Sequence, residues 1–194
     1  MANGIGSLSV TAANTRRPFC VLMAGLPGSG KTTLSRALTA HGFVRLCPDE
    51  EMYRRHGVYG VDFPRGTFPT LERPVLEEIS AELREQLRAG RDVVVDHGFW
   101  TPEERERWRS IATDAGATSM LVYLEASHEE LWTRVNTRNA RHEADPNSIY
   151  FSESDLIRYQ TRFLPPEPDE PHLVYNGDPD SVLKALKEDA TRRP

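Results

Sequence analysis

Cysteine is scarce in this sequence: Cys20 and Cys47 are the two among 194 residues. Both fall at or near the ends of short apolar runs, so they read as small core residues in a reducing compartment and not as a disulfide framework. Long hydrophobic runs are missing too. No stretch approaches the ~20 apolar residues that span a bilayer, which argues against a membrane role. An excess of positive charge is also absent: 24 Lys and Arg stand against 29 Asp and Glu, a formal net charge of −5. A nucleic-acid backbone is therefore a poor match for the main partner, since domains that bind one carry a basic face. Residues 1–16 are small and polar without an apolar segment. They read as a loose N-terminal tail and not as a secretion signal, so a cytoplasmic location is expected. No internal repeat is visible, and no Pro/Gly-rich stretch divides two self-sufficient cores. A single domain over 17–194 is expected, large enough to bury a full core.

What the sequence does contain is concentrated in eight residues. Gly25-Leu26-Pro27-Gly28-Ser29-Gly30-Lys31-Thr32 spells G-x-x-x-x-G-K-T, a complete phosphate-binding loop. Gly25, Gly28 and Gly30 let the backbone curl so that successive N–H groups point at a phosphate. Lys31 supplies a cation within reach of the β- and γ-phosphates, and the Thr32 hydroxyl can bind the Mg²⁺ that accompanies a nucleotide. Pro27, Ser29 and Thr33 complete the cradle. The flanks agree: residues 19–24 form an apolar run suited to a buried parallel strand, and 33–41 carry Leu34, Ala37 and Leu38 on one helical face. The helix N-terminus adds its own attraction for an anion.

Further along, strands and helices alternate. Strands are predicted at 43–47, 92–96, 120–124 and 172–176. Helices are predicted at 70–89, from Thr101 to about 115, from Ser127 to about 138, at 152–163 and at 179–190. Thr101 with Glu104 and Ser127 with Glu130 have capping-box spacing. Residues 52–69 mix Gly57, Gly60, Pro64, Gly66 and Pro69 with aromatics and read as an irregular excursion. Residues 139–151 show no pattern and read as a mobile lid. Residues 165–171 hold four prolines and must be an ordered loop or linker. Five strands alternating with helices imply an α/β protein with a parallel sheet covered on both faces.

In open parallel sheets, ligands lie beyond the carboxyl ends of the strands. The second strand delivers Asp49 there, the third Asp96 and His97, the fourth Glu125. Asp49 is the candidate general base of a phosphoryl transfer, able to take a hydroxyl proton. Its alternative is a helix cap. Asp96 is the candidate carboxylate that holds Mg²⁺ through water, alongside Thr32. Its alternative is a solvated strand end. His97 fits either a substrate contact or a turn filler. Arg134, Arg138 and Arg141 recur at helical spacing, and polyphosphate would relieve their mutual repulsion. Two aromatic groups, Tyr53, Tyr59, Phe63 and Phe68, then Phe99 and Trp100, suit either the walls of an organic acceptor site or one side of the core.

Taken with the segment 93–105 and with Leu131-Trp132-Thr133-Arg134 through Arg138, the loop and Pro48-Asp49 give a pattern that resembles the small P-loop (AAA-type ATP-binding) kinases. That group includes chloramphenicol phosphotransferase, gluconate kinase, zeta toxin and the kinase domain of polynucleotide kinase. The resemblance covers about residues 19–141. It implies a three-layer P-loop nucleotide kinase fold with strand order 2-3-1-4-5 and ATP as phosphate donor. Asp49 matches the group's catalytic carboxylate by position. Arg134 and Arg138 look like the lid pair of nucleotide kinases, the first packing on adenine and the second touching phosphate. Residues 50–69 match no acceptor signature, so gluconate, a nucleotide and a chloramphenicol-like drug stay open as acceptors. The expected activity is transfer of the ATP γ-phosphate to a hydroxyl of a small molecule: a metabolite, a nucleoside or a natural-product antibiotic. The competing readings are a polynucleotide 5′-hydroxyl kinase and a non-catalytic ATP-switched binding protein. The sequence is silent on oligomeric state.

Overall fold

The computed structural model describes residues 16–140 and 150–192. The tail before residue 16 and most of the expected lid, including Arg141, lie outside the described residues. Five parallel strands form one sheet in the order β2-β3-β1-β4-β5. These are β1 (Phe19–Ala24), β2 (Val44–Leu46), β3 (Val93–Gly98), β4 (Thr118–Tyr123) and β5 (Leu173–Val174). The expected α/β class and strand order are both present. Strand β1 is central, pairing with β3 through Cys20–Val93, Val21–Val94 and Leu22–Val95, and with β4 along its whole length. All six of its residues are buried, as an apolar run between two covering layers requires.

Alternate side chains along the strands feed two cores. On one face Cys20, Leu22, Val93 and Val95 pack with Met52, Val75, Leu83, Phe99 and Trp108. On the other, Val21, Met23, Val94 and Val122 pack with Leu34, Leu38, Val182 and Leu186. Helix α1 (Lys31–Ala40) and helix α7 (Pro179–Arg192) cover the second face. Helices α3 (Phe68–Arg88) and α4 (Pro102–Asp114) cover the first. Both cysteines are buried, as expected, and they form no disulfide among the described residues.

The segment after β2 departs from expectation. Residues 52–69 were expected to be irregular throughout, yet helix α2 (Pro48–His56) occupies the start. Its sequence is well matched to a helix. Proline sits at its first turn with Asp49, Glu50 and Glu51, and Arg54, Arg55 and His56 occupy its last turn, complementing the helix dipole at both ends. The glycines farther on obscured this signal. Gly57 takes a φ of 78°, the left-handed region that favours glycine, and a Cβ there would press on the Asp62 side chain, so the chain turns at a glycine. Only the stretch between α2 and α3 is irregular, apart from a short 3-10 turn at Arg65–Thr67.

Three helices begin with full capping boxes: α4 at Thr101 and Glu104, α5 (His128–Asn139) at Ser127 and Glu130, and α6 (Glu153–Gln160) at Ser152 and Asp155. The last pair had not been anticipated, and α6 is shorter than expected. The proline-rich stretch is ordered by Arg105, whose side chain is fully buried. Its guanidinium grips Glu170 through Nε at 2.8 Å and Nη2 at 2.7 Å, and donates to the Leu164 carbonyl at 2.8 Å. No helix among the described residues is long and apolar enough to cross a membrane.

Candidate active site

The phosphate loop runs from the end of β1 into α1. Gly28 and Gly30 have φ values of 86° and 104°, and Gly30 is the N-cap of α1. A Cβ at Gly28 would meet the Leu131 carbonyl oxygen at 2.9 Å, so α5 also closes the loop sterically. Helix α1 begins at Lys31, inside the motif, because this left-handed glycine lets the helix start directly from the loop. Gly25 and Ser29 are buried behind the loop, whereas Pro27, Gly28, Gly30, Lys31, Thr32 and Thr33 face the cavity. The Lys31 ammonium lies across the loop and donates to the carbonyls of Gly25 and Leu26, each at 3.0 Å. Burial lowers its pKa, against Asp96 and Asp49, which raise it.

Asp96 sits near the end of β3 with its side chain 3% exposed. Its Oδ2 accepts from Ser35 Oγ at 2.9 Å and from Arg45 through Nε at 2.9 Å and Nη2 at 2.5 Å. Its Oδ1 faces the Thr32 hydroxyl at 3.5 Å. One carboxylate oxygen is thus tied down while the other points at the motif threonine. The solvated strand end considered above is not what forms. Arg45 also donates to Glu50 Oε1 at 2.8 Å. Arg45 was not foreseen. Its trace in the sequence is a lone charge in an otherwise apolar strand, three residues before Pro48.

Asp49 occupies the first turn of α2. The N-cap of that helix is Cys47, and no side chain caps it, so the capping alternative for Asp49 does not hold. Among the described residues its carboxylate makes no hydrogen bond or ion pair. Burial raises its pKa, Lys31 opposes this and Asp96 adds to it. Ligand atoms of Asp49, Glu72 and His97 lie within 4.8 Å of one another. Burial, then Asp49 and Glu104, push the Glu72 carboxyl up to about 8. Burial pushes His97 down to about 4 against the pull of Glu104, so its imidazole is neutral near pH 7. Glu72 escaped notice because it follows Leu71 at the edge of the four-residue apolar period of α3. Nothing in that spacing distinguishes it from a solvated glutamate.

These groups line one cavity of about 1020 Å³ that also takes in Asp96, Arg134 and Arg138. Arg134 reaches the loop, donating from Nη1 to the Gly28 carbonyl at 3.3 Å, and pairs with Glu130 at 3.5 Å. Arg138 lies over the Phe151 ring, 5.6 Å from its centroid. Of the expected aromatic walls, Tyr59, Phe68 and Trp100 line the cavity. Phe63 and Phe99 belong to the core and Tyr53 is 41% exposed. Glu125 is exposed and outside the cavity. Asp155, Arg158, Tyr159 and Arg162, from α6 and the turn after it, also line it, and the sequence had given no hint of them. Tyr159 packs its ring on Trp100 at 5.1 Å, which joins α6 to the loop after β3.

Residues 20–166 match the AAA domain family. Among curated proteins, no sequence matches this one. Solved structures share the fold. A presumed kinase from Chloroflexus aurantiacus j-10-fl superposes with a TM-score of 0.71 at 22% identity, over 89% of this chain and 98% of that one. A gluconokinase from Sinorhizobium meliloti 1021 gives 0.56 at 18%, over 91% and 94%. The APS kinase of Mycobacterium tuberculosis, solved with AMPPNP and APS, gives 0.56 at 20%, over 91% and 99%.

Proposed function

Because the chain belongs to the AAA domain family and has a kinase-like P-loop fold, we propose that it is an ATP-dependent phosphotransferase whose acceptor is a hydroxyl of a small molecule. The observation that supports this most is the placement of Asp49. A carboxylate with no partner among the described residues shares a cavity with the loop lysine, and its pKa is raised toward the working range of a general base. A structural or capping carboxylate would be spent on a partner.

In this reading the acceptor oxygen bonds to the γ-phosphorus as the bond from that phosphorus to the β–γ bridging oxygen breaks. ADP leaves, and the hydroxyl proton passes to Asp49. The loop amides from Gly28 to Thr33 hold the phosphates, and Lys31 exchanges its two carbonyl contacts for phosphate oxygens. Arg138 adds charge at the phosphates, and Arg134, beside the loop, packs on the nucleotide. The oxygen pair of Thr32 and Asp96 suits Mg²⁺, which prefers hard oxygen ligands. Bound there, the ion would neutralise charge on the β- and γ-oxygens. Arg45 and Ser35 keep Asp96 aimed at Thr32.

The test is a γ-phosphate transfer screen against pooled metabolites, nucleosides, antibiotics and a 5′-hydroxyl oligonucleotide, with mass detection of the product. A small molecule gaining 80 Da, the mass of one phosphoryl group, supports the proposal. Transfer to the oligonucleotide alone would establish the polynucleotide reading. ATP binding without any transfer would leave the switched binding protein.

A further inference from the structure

The phosphotransfer chemistry above uses Asp49, Lys31 and the phosphate-side cations, and leaves Glu72 without a task. Glu72 lines the cavity and forms no hydrogen bond or ion pair among the described residues. Its carboxylate lies within 4.8 Å of Asp49 and of the neutral His97 ring, and Asp49 and Glu104 are the two charges that act on it. Glu104 is only half committed. Its Oε2 accepts from the backbone N–H of Trp100 at 2.9 Å and of Thr101 at 3.3 Å, closing the capping box of α4. Its other oxygen has no such bond. A second ionised carboxylate beside the base is unfavourable, so the site favours a proton when empty and a positive group when filled.

Three further features point the same way. Tyr59, Phe68 and Trp100 wall the cavity, and aromatic faces attract cations. The cavity's cations come from other elements: Lys31 and Arg36 from α1, Arg134 and Arg138 from α5, Arg158 from α6, where Asp155 pairs with it at 2.6 Å, and Arg162 just after that helix. Around Asp49 the carboxylates are Glu72 of α3, within 4.8 Å, and Asp96 of β3, while Glu104 at the start of α4 acts on Glu72. An acceptor carrying a carboxylate or phosphate would meet like charge as its hydroxyl approached Asp49.

Resting on the phosphotransferase reading, we propose that the acceptor is a hydroxylated amine whose ammonium sits against Glu72 and Glu104 while its hydroxyl meets Asp49. The aromatic walls hold its apolar framework. Glu72 sets specificity for charge. In the empty site near pH 7 this carboxyl keeps its proton, with its pKa at about 8. An arriving ammonium displaces that proton, so binding is coupled to proton release.

The experiment is calorimetric titration of the protein saturated with AMPPNP and Mg²⁺, in two buffers of different ionisation enthalpy at pH 7. The probes are glucosamine, 2-amino-1-phenylethanol, their N-acetyl counterparts and gluconate. Each amine should bind at least about tenfold more tightly than its N-acetyl counterpart, the range of one charge-assisted contact. Its binding should release a proton. In Glu72→Gln the preference should fall below about threefold and proton release should shrink. Glu72→Asp should restore part of both. An unchanged AMPPNP affinity shows that each variant is folded. The inference is overturned if N-acetyl probes or gluconate bind as well as the amines, or if the preference survives Glu72→Gln. It is equally overturned if no amine binds at millimolar concentration. It falls too if Mn²⁺ alone binds in a Glu72-dependent way while the amines do not. Mass detection on the same probes with ATP separates the two claims. Phosphorylation of N-acetyl probes without amine preference keeps the kinase and removes the amine site. Amine binding with no transfer to any hydroxyl does the reverse.

Discussion

Glu72→Gln should stabilise the empty protein, and more so as pH rises. The folded-state pKa of Glu72 is raised from 4.5 to about 8 by burial, by Asp49 and by Glu104. Between those two pH values the native protein holds a proton that the unfolded chain has released. Stability therefore falls as pH rises through that window, and the whole loss is present above about pH 8. At about 1.4 kcal/mol per unit, the shift corresponds to about 5 kcal/mol at most. Asp49 titrates in the same field and shares the effect, so a measured difference of roughly 2–4 kcal/mol is the working figure. Glutamine fills the same volume and does not titrate. Thermal melts of wild type and variant should nearly coincide at pH 5. At pH 9 the variant should melt roughly 4–16 °C higher, given about 2–4 °C per kcal/mol for a chain of this size. A difference that is the same at both pH values, or a variant less stable at pH 9, would refute the placement of a part-buried Glu72 beside a second carboxylate.

Lys31→Ala should lower phosphate transfer by about 10²–10³-fold while circular dichroism shows an unchanged fold, because one preorganised positive donor is lost from the transferring group. Arg45→Ala should cost about 3–5 kcal/mol in a urea melt, since it strips a buried carboxylate of its partner. The double variant Arg45→Met with Asp96→Asn should recover part of that loss, and strictly additive losses would show that the pair is not coupled. Arg138→Ala should weaken affinity for a non-hydrolysable ATP analogue by about tenfold or more, the range for one charge-assisted contact. An unchanged affinity would leave Arg138 a packing role, as in its contact with Phe151.

The sheet was legible because its strands are apolar runs and its helices carry their own start signals: Thr101 with Glu104, and Ser127 with Glu130. The loop was legible because backbone geometry near a phosphate demands glycine at fixed places. Asp49 and Asp96 could be picked out from their positions just after β2 and near the end of β3. What escaped was of two kinds. Helix α2 was hidden because its local signal at residues 48–56 runs directly into a glycine- and proline-rich turn. Glu72, Arg45 and the α6 residues were hidden because their roles depend on long-range packing. Arg45 meets Asp96 across 51 residues, and Tyr159 meets Trp100 through the fold alone. No local spacing encodes such contacts. The aromatic group divided for the same reason. Tyr59 and Phe68 face the cavity while Phe63, between them in sequence, turns into the core.

The central claim is that Asp49 takes the proton of an acceptor hydroxyl as the ATP γ-phosphate is transferred. It is tested most directly by measuring transfer rate and ATP affinity together for wild type, Asp49→Asn and Asp96→Asn, using an acceptor found in the screen. Asparagine keeps the size of the side chain and its hydrogen bonding but cannot accept the proton. Transfer by Asp49→Asn should fall by about 10²–10⁴-fold with ATP affinity unchanged. Asp96→Asn should instead raise the Mg²⁺ concentration needed for half-maximal rate. Wild-type transfer by Asp49→Asn together with loss of transfer in Asp96→Asn would contradict the account and move the base to the third strand.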